Sequence, residues 1–469
     1  MPTDLFEASK RPTLMCNRAG SRAAMSALGL LALLVSGCGG GGAGSGSGSG
    51  GADSVSPPLS CSATDQKDWL ASYMDDWYFW TAVSPKPAPG PYADALAYLQ
   101  ALRYTGSDSR FPADRWSNTQ STDAFNRVFT DGMTLGYGLA VAGLELAKDG
   151  SQPLYVRYVD PGSPAAAAGI HRGDRITQLG GRAASDVIAS DDFTPLTAST
   201  AGQTVAITTT RAGNASFSGL LAAASYNLVP VTGAAVVQSP GGRKLGYVAV
   251  KDMISQALSP ADTAFTQFKS AGVADVVLDL RYNGGGLVST GGTLAGYIAG
   301  SRGAGLTYAS LVYNTRRNAS NSSFPYAVPA AALNLPRVFV LTGRRTCSAS
   351  EQVVNGLRGV GVNVVIIGEA SCGKPVGFQP TSQCGTTYSV VNFESVNQLG
   401  AGRYFSGFAP TCAVAENFTV AQASPPDPLM AAALRYADSG TCPAASSSPV
   451  VPASQRSEEP GERRALLAR

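Results

Sequence analysis

The sequence predicts an α/β core carried behind a mostly β segment and a small helical N-terminal region. Three observations lead there. From residue 244 onward, short apolar runs alternate with amphipathic ones, the pattern of buried parallel strands joined by helices. Between residues 132 and 232 the β-rich runs are short and broken by Gly and Pro. Before residue 131, aromatic residues recur at helical spacing. The length of 469 residues suits about three domains.

Residues 1–38 read as an export leader. Lys10, Arg11, Arg18 and Arg22 precede an apolar run that starts at Met25. At about a dozen residues it is too short to span a bilayer and right for a secretory h-region. It ends in Val35-Ser36-Gly37-Cys38, which is similar to a bacterial lipobox. Cys38 is then the lipidation site, and the chain is exported, facing the periplasm of a bacterial envelope on a lipid anchor. The bland alternative is an ordinary signal peptide with a chance cysteine. Residues 39–60 are a Gly/Ser-rich tether. Residues 445–469 are Ser/Pro-rich and then charged, and are expected to be a disordered tail.

Residues 61–131 form the helical region, with helices expected near 62–80, 93–102 and 122–129. Trp69, Tyr73, Trp77 and Trp80 make an aromatic stripe, read as packing and not as a ligand cage. In residues 132–232, strands are expected at 154–159, 176–179 and 204–209. Two segments there, Leu135-Gly136-Tyr137-Gly138-Leu139 and the run from Val159 through Gly169 to Gly173-Asp174, resemble a PDZ domain of the bacterial protease type. That resemblance implies that Gly136, Tyr137, Gly138 and Leu139 hold a peptide's carboxylate by backbone N–H groups. The next strand would accept the peptide as an added strand. His171, in the turn before Gly173, reads as a solvated residue.

Composition removes several classes. Lys and Arg total 35 against 32 Asp and Glu, a net charge of +3, too weak a field to hold nucleic acid. His171 is the only histidine, so most His-metal sites and Ser-His-Asp chemistry are excluded. No Cys-x-x-Cys pair is present, and neither a metal nor an organic cofactor is expected. Six cysteines remain beyond Cys16 and Cys38, an even number that suits disulfides in an exported chain. Fifteen pairings are open. One set that the chain order suggests joins Cys384 to Cys412, Cys61 to Cys442 and Cys347 to Cys372, and the sequence leaves the pairing open.

Residues 233–444 carry the chemistry. Three segments each follow an apolar strand: Asp279-Leu280-Arg281-Tyr282-Asn283-Gly284-Gly285-Gly286, Cys347-Ser348-Ala349-Ser350-Glu351 and Gly368-Glu369-Ala370-Ser371-Cys372-Gly373-Lys374-Pro375. Strand ends of open α/β sheets are where sites form. A serine at a strand-to-helix turn exposes its hydroxyl. A glycine run lets backbone N–H groups approach closely. With no imidazole at hand, the base must be another group. Lys374 is the only lysine after Lys269, and a buried lysine prefers its neutral form. The bland readings are a Ser348 helix cap, a surface Lys374 and a tight turn at 283–286.

Taken in order, these motifs and the preceding PDZ segment resemble the C-terminal processing (tail-specific) peptidases, family S41, over roughly residues 65–440. The resemblance implies a crotonase/ClpP-like α/β peptidase core with a PDZ domain. It also implies a serine endopeptidase acting on unfolded or C-terminal polypeptide segments. Ser348 is then the nucleophile and Lys374 the general base. Gly285 and Ala349 supply oxyanion N–H groups. The family's orienting glutamine falls at Phe378 here, one residue before Gln379, which is expected to take its place. Cys347 beside the nucleophile is either disulfide-bonded or free. The competing reading is a non-catalytic PDZ/crotonase-like binding or scaffold protein.

Overall fold

The computed structural model describes residues 55–143, 146–212 and 214–443, and the backbone of Leu466 and Leu467. The expected leader, Cys38, most of the tether and most of the 445–469 tail lie outside the described residues. Among the described residues no helix is long and apolar enough to cross a membrane.

The core is a six-stranded sheet. Lys244–Val250, Asp275–Asp279, Arg337–Thr342 and Asn363–Gly368 lie side by side in chain order, all parallel. Val231–Gln238 closes one edge antiparallel and Cys412–Ala413 the other edge in parallel. Side chains alternate between two buried faces, which is why these runs are almost wholly apolar. Leu278 and Val340 pack on Phe265 and Val353, under the helices Leu258–Ala271 and Ala349–Gly359. Phe339 and Ile367 point the other way, onto Leu429, Met430 and Ala433 of the helix Pro428–Ser439.

The helices Ala63–Trp77, Ala95–Leu102 and Thr122–Phe129 each start at a capping side chain, Ser62, Asp94 and Ser121. Each accepts one of the free N–H groups of the first turn. Trp69, Tyr73 and Trp80 are buried against Tyr98, Trp116, Val376 and Phe378. The stripe is therefore packing, and it braces the strand Val376–Phe378.

The PDZ segment is an antiparallel sheet of Leu139–Val141, Leu154–Val159, Arg175–Leu179, Thr204–Arg211 and Asn214–Ala222, covered through Val187 and Ile188 of Ala184–Ser190. His171 is exposed, and its backbone N–H donates to Asp174, as a turn residue's would. The neighbouring Arg172 leaves the domain. It donates to Glu416 Oε1 at 2.8 Å and to the Val420 carbonyl at 2.8 Å. Glu416 also pairs with Arg281, which is buried and bonded to Asp279 and Asp427. One charge cluster thus fastens the PDZ turn to the core.

Two expectations are corrected. The disulfides are Cys61–Cys384, Cys347–Cys372 and Cys412–Cys442, with Cα–Cα distances of 5.5, 5.2 and 5.4 Å. Only Cys347–Cys372 matches the suggested set; the other four cysteines exchange partners. The reason is topological. Asn118–Ser121 pairs with Thr386–Ser389, bringing Cys384 to the N-terminal helices. The helix Pro428–Ser439 returns Cys442 to the edge strand that holds Cys412. The second correction concerns the 445–469 segment, where Leu466–Leu467 forms a strand between Gly286–Leu287 and Val376–Phe378.

Candidate active site

Two of the three strand ends meet at one carboxylate. Glu351 stands in the first turn of Ala349–Gly359 and is fully buried. Its Oε2 accepts the Ser348 N–H at 2.9 Å and the Lys374 N–H at 2.8 Å. Its Oε1 accepts the Gly373 N–H at 2.8 Å and the Ser371 hydroxyl at 2.6 Å. The Ser348 and Lys374 nitrogens are thus no farther apart than two hydrogen bonds laid end to end. Burial pushes the Glu351 carboxyl up from its ordinary range, against the four donors, which favour the charged form. The Cys347–Cys372 disulfide joins the same two loops covalently. Cys347, Glu351 and Cys372 come together closely, but sulfurs bonded to each other offer no thiolate to a metal.

The third strand end is tied in by Asn283. Its carbonyl accepts from Cys347 N at 3.1 Å and from Ser350 Oγ at 3.0 Å. Its side chain donates to the Val250 carbonyl and accepts the Gly285 N–H at 2.8 Å. Glycine is required at Gly286, where φ is 142° and a Cβ would fall 2.2 Å from the Met253 carbonyl oxygen. The same holds for Gly373, at φ 84° and 2.2 Å from the Phe405 oxygen.

Ser348 is at the N-cap of Ala349–Gly359, with φ 63° and ψ −115°. A non-glycine residue there is strained, and such strain gathers at functional sites. The Ser348–Glu351 pair has the arrangement of a capping box, yet Ser348 Oγ, wholly buried, makes no hydrogen bond of normal geometry among the described residues. The simple cap reading would have that oxygen bonded. Lys374 is 1% exposed. Its Nζ lies 4.0 Å from the centre of the Phe378 ring, within cation–π range. Lys374 is thus a buried residue and not a surface lysine.

Ala349 is the first helical residue, beside Ser348. Gly285 reaches the same region but donates its N–H to Asn283. Gln379 is bonded to two tyrosines. Its carboxamide accepts from the Tyr313 hydroxyl at 3.2 Å and its carbonyl receives Tyr73. Phe378 ends the strand Val376–Phe378, and Gln379, just past it, donates its N–H to Asn392 Oδ1 at 2.7 Å. The residue that sequence reasoning left without a role is Glu351. Its signal was the Ser-x-x-Glu spacing itself.

In the PDZ segment Tyr137 is buried and Gly138 has φ 78°. The Tyr137 and Gly138 carbonyls turn inward to accept from Ala165 and Asp160. Residues 136 to 141 line one side of a cavity of about 190 Å³, with Tyr282, Gly284 and Arg345 on the other. The peptide loop and the glycine run therefore border one space.

Residues 244–406 match the family model Peptidase family S41, and residues 65–118 match the Peptidase S41 N-terminal domain. Residues 244–406 form a peptidase domain of family S41. Residues 155–211 match a PDZ domain, so the S41 core carries the PDZ segment in front of it. The chain is 31% identical over 244 residues to a chloroplastic C-terminal processing peptidase of Tetradesmus obliquus, covering 50% of each. It is 27% identical to a carboxyl-terminal-processing protease of Picosynechococcus sp., over 51% of this chain and 57% of that one. The chain spans about half the length of the curated relatives it matches. A crystal structure described as an S41 protease of Bacteroides fragilis superposes with a TM-score of 0.62 at 25% identity. It covers 80% of this chain and 97% of the other.

Proposed function

We propose that this chain is a serine endopeptidase working through a Ser348/Lys374 dyad. The observation that carries the reading is the Glu351 clasp, which holds the backbone of both residues while the Ser348 hydroxyl is left without a bond of its own. Ser348 Oγ attacks the peptide carbonyl, and Lys374 Nζ takes its proton and passes it to the leaving amine. The acyl-enzyme is then hydrolysed by water, with Lys374 again taking the proton. Ala349 N–H stabilises the oxyanion, joined by Gly285 N–H once Asn283 releases it. Phe378 takes over the support that a glutamine would give: its ring face stabilises the ammonium formed when Lys374 accepts the proton. Gln379 has no part in this.

The substrate is an unfolded or C-terminal polypeptide segment, captured through residues 136 to 139 and passed to the adjoining glycine run. Export to a bacterial envelope on a lipidated Cys38 follows from the Val35-Ser36-Gly37-Cys38 motif. The three disulfides support an oxidising compartment.

The test is cleavage of an unfolded protein such as casein, with fluorophosphonate labelling alongside. The wild-type chain is expected to cleave and to be labelled; Ser348→Ala does neither, and Lys374→Ala loses cleavage. A wild-type chain that is neither labelled nor active would return the non-catalytic binding reading. For the anchor, labelled palmitate should enter the wild-type chain and not Cys38→Ala.

A further inference from the structure

The strand Leu466–Leu467 lies between two strands of the candidate site. On one side Leu466 pairs with Gly286 and Leu467 with Leu287; on the other Leu467 pairs with Phe378, all in parallel. Gly286 directly follows Gly285, and Phe378 carries the ring against Lys374. Take those two residues away, and Gly286–Leu287 and Val376–Phe378 face each other across a gap one strand wide, each with an open edge. Such a gap accepts any extended chain by β-addition, with main-chain bonds on both sides. The second observation is burial. Ser348 is 0% and Lys374 1% exposed in the whole chain, whereas a nucleophile that cuts polypeptides must be reached by one.

We propose that the strand Leu466–Leu467 is an intramolecular occupant of the substrate channel, which an incoming polypeptide must displace. The occupant also indicates the substrate's form there: an extended segment with adjacent apolar residues, running parallel to both flanking strands. This rests on the peptidase reading for what the channel serves, but the occupancy itself requires no catalysis. The segment is joined to the core through the 22 residues after Pro443. A covalent connection of that length gives an effective concentration on the order of 1 mM. A free peptide of the same sequence with a Kd of about 0.1 mM for the open channel then binds the intact chain about tenfold more weakly.

The test compares the chain with a variant carrying Leu466→Pro and Leu467→Pro, which removes the strand's two donors. Both are made in a Ser348→Ala background so that nothing is consumed. The probe is a fluorescein-labelled peptide of residues 460–469, followed by anisotropy. Binding about tenfold tighter to the proline variant is expected; equal affinity, or no binding to either, overturns the proposal. Hydrogen exchange on the unmodified chain decides independently of any variant. The Leu466 and Leu467 amides should exchange slowly and speed up when the peptide is added; unprotected amides overturn the proposal. In the active chain, the proline pair should lower KM severalfold at unchanged kcat. Absence of turnover from both active chains would overturn the peptidase reading alone, because the binding arm decides occupancy by itself.

Discussion

Ser348 combines a positive φ with a hydroxyl that is buried and unbonded. Ser348→Ala should therefore abolish turnover by at least about a thousandfold while leaving the melting temperature unchanged or slightly raised, since alanine removes an unsatisfied buried oxygen. The lysine's neighbour gives a sharper test. Phe378→Leu keeps apolar volume but loses the ring face; at about 1 kcal/mol for the contact, kcat should fall about fivefold. Gln379→Ala should change kcat by less than about twofold, since that carboxamide faces Tyr313. Steady-state kinetics on one peptide substrate separates the two. Ser348 and Lys374 were legible because their motifs stand in a recognisable order. The choice between Phe378 and Gln379 was not, because it turns on where the strand ends next to a register shift between Gly377 and Phe378, which no spacing in the sequence reveals.

The site is made by loops, and each is fixed by an element behind it. The disulfide Cys347–Cys372 closes a loop of 25 residues, worth about 3 kcal/mol on the chain-entropy account. Replacing both cysteines by alanine should lower urea stability by roughly that amount, and kcat/KM with it, because the nucleophile and base loops lose their covalent link. Glu351 adds a pH signature. Its folded-state carboxyl is raised by burial, so its contribution to stability is full below the ordinary glutamate value of 4.5 and declines as pH rises through the higher folded value. Glu394 is shifted the same way by burial. Glu351→Gln should flatten, not abolish, the fall in urea midpoint above pH 4.5, measured by fluorescence across the acid range. At this scale the four central parallel strands were legible to within a residue or two, since fully apolar runs such as residues 364–367 admit few other places in a sheet, whereas strands such as Thr307–Tyr313 and Val391–Val396 were not. The cysteine partners were not, because pairing is decided by which elements lie side by side.

Across the molecule, the order of helical region, PDZ segment and S41 core was readable from the motifs that carry the resemblance, and the family match follows that order. The joints between them were not readable. Arg172 and Glu416 are 244 residues apart and look like ordinary surface charges in sequence. Glu416→Gln should weaken the joint by about 2 kcal/mol, less than a fully enclosed pair because both side chains are 13% exposed. Calorimetry should then resolve the PDZ segment melting ahead of the core, where the wild type gives one transition. The Leu466–Leu467 strand was equally hidden, since its partners lie near residues 286 and 378. Finally, Cys61 is bonded to Cys384 across 323 residues, one residue before the cap of the first helix. Traction on the chain upstream of Cys61 therefore enters the body at two points at once, the helix and the 381–389 hairpin. A pull on the leash is therefore shared with the hairpin's sheet and does not fall on the first helix alone.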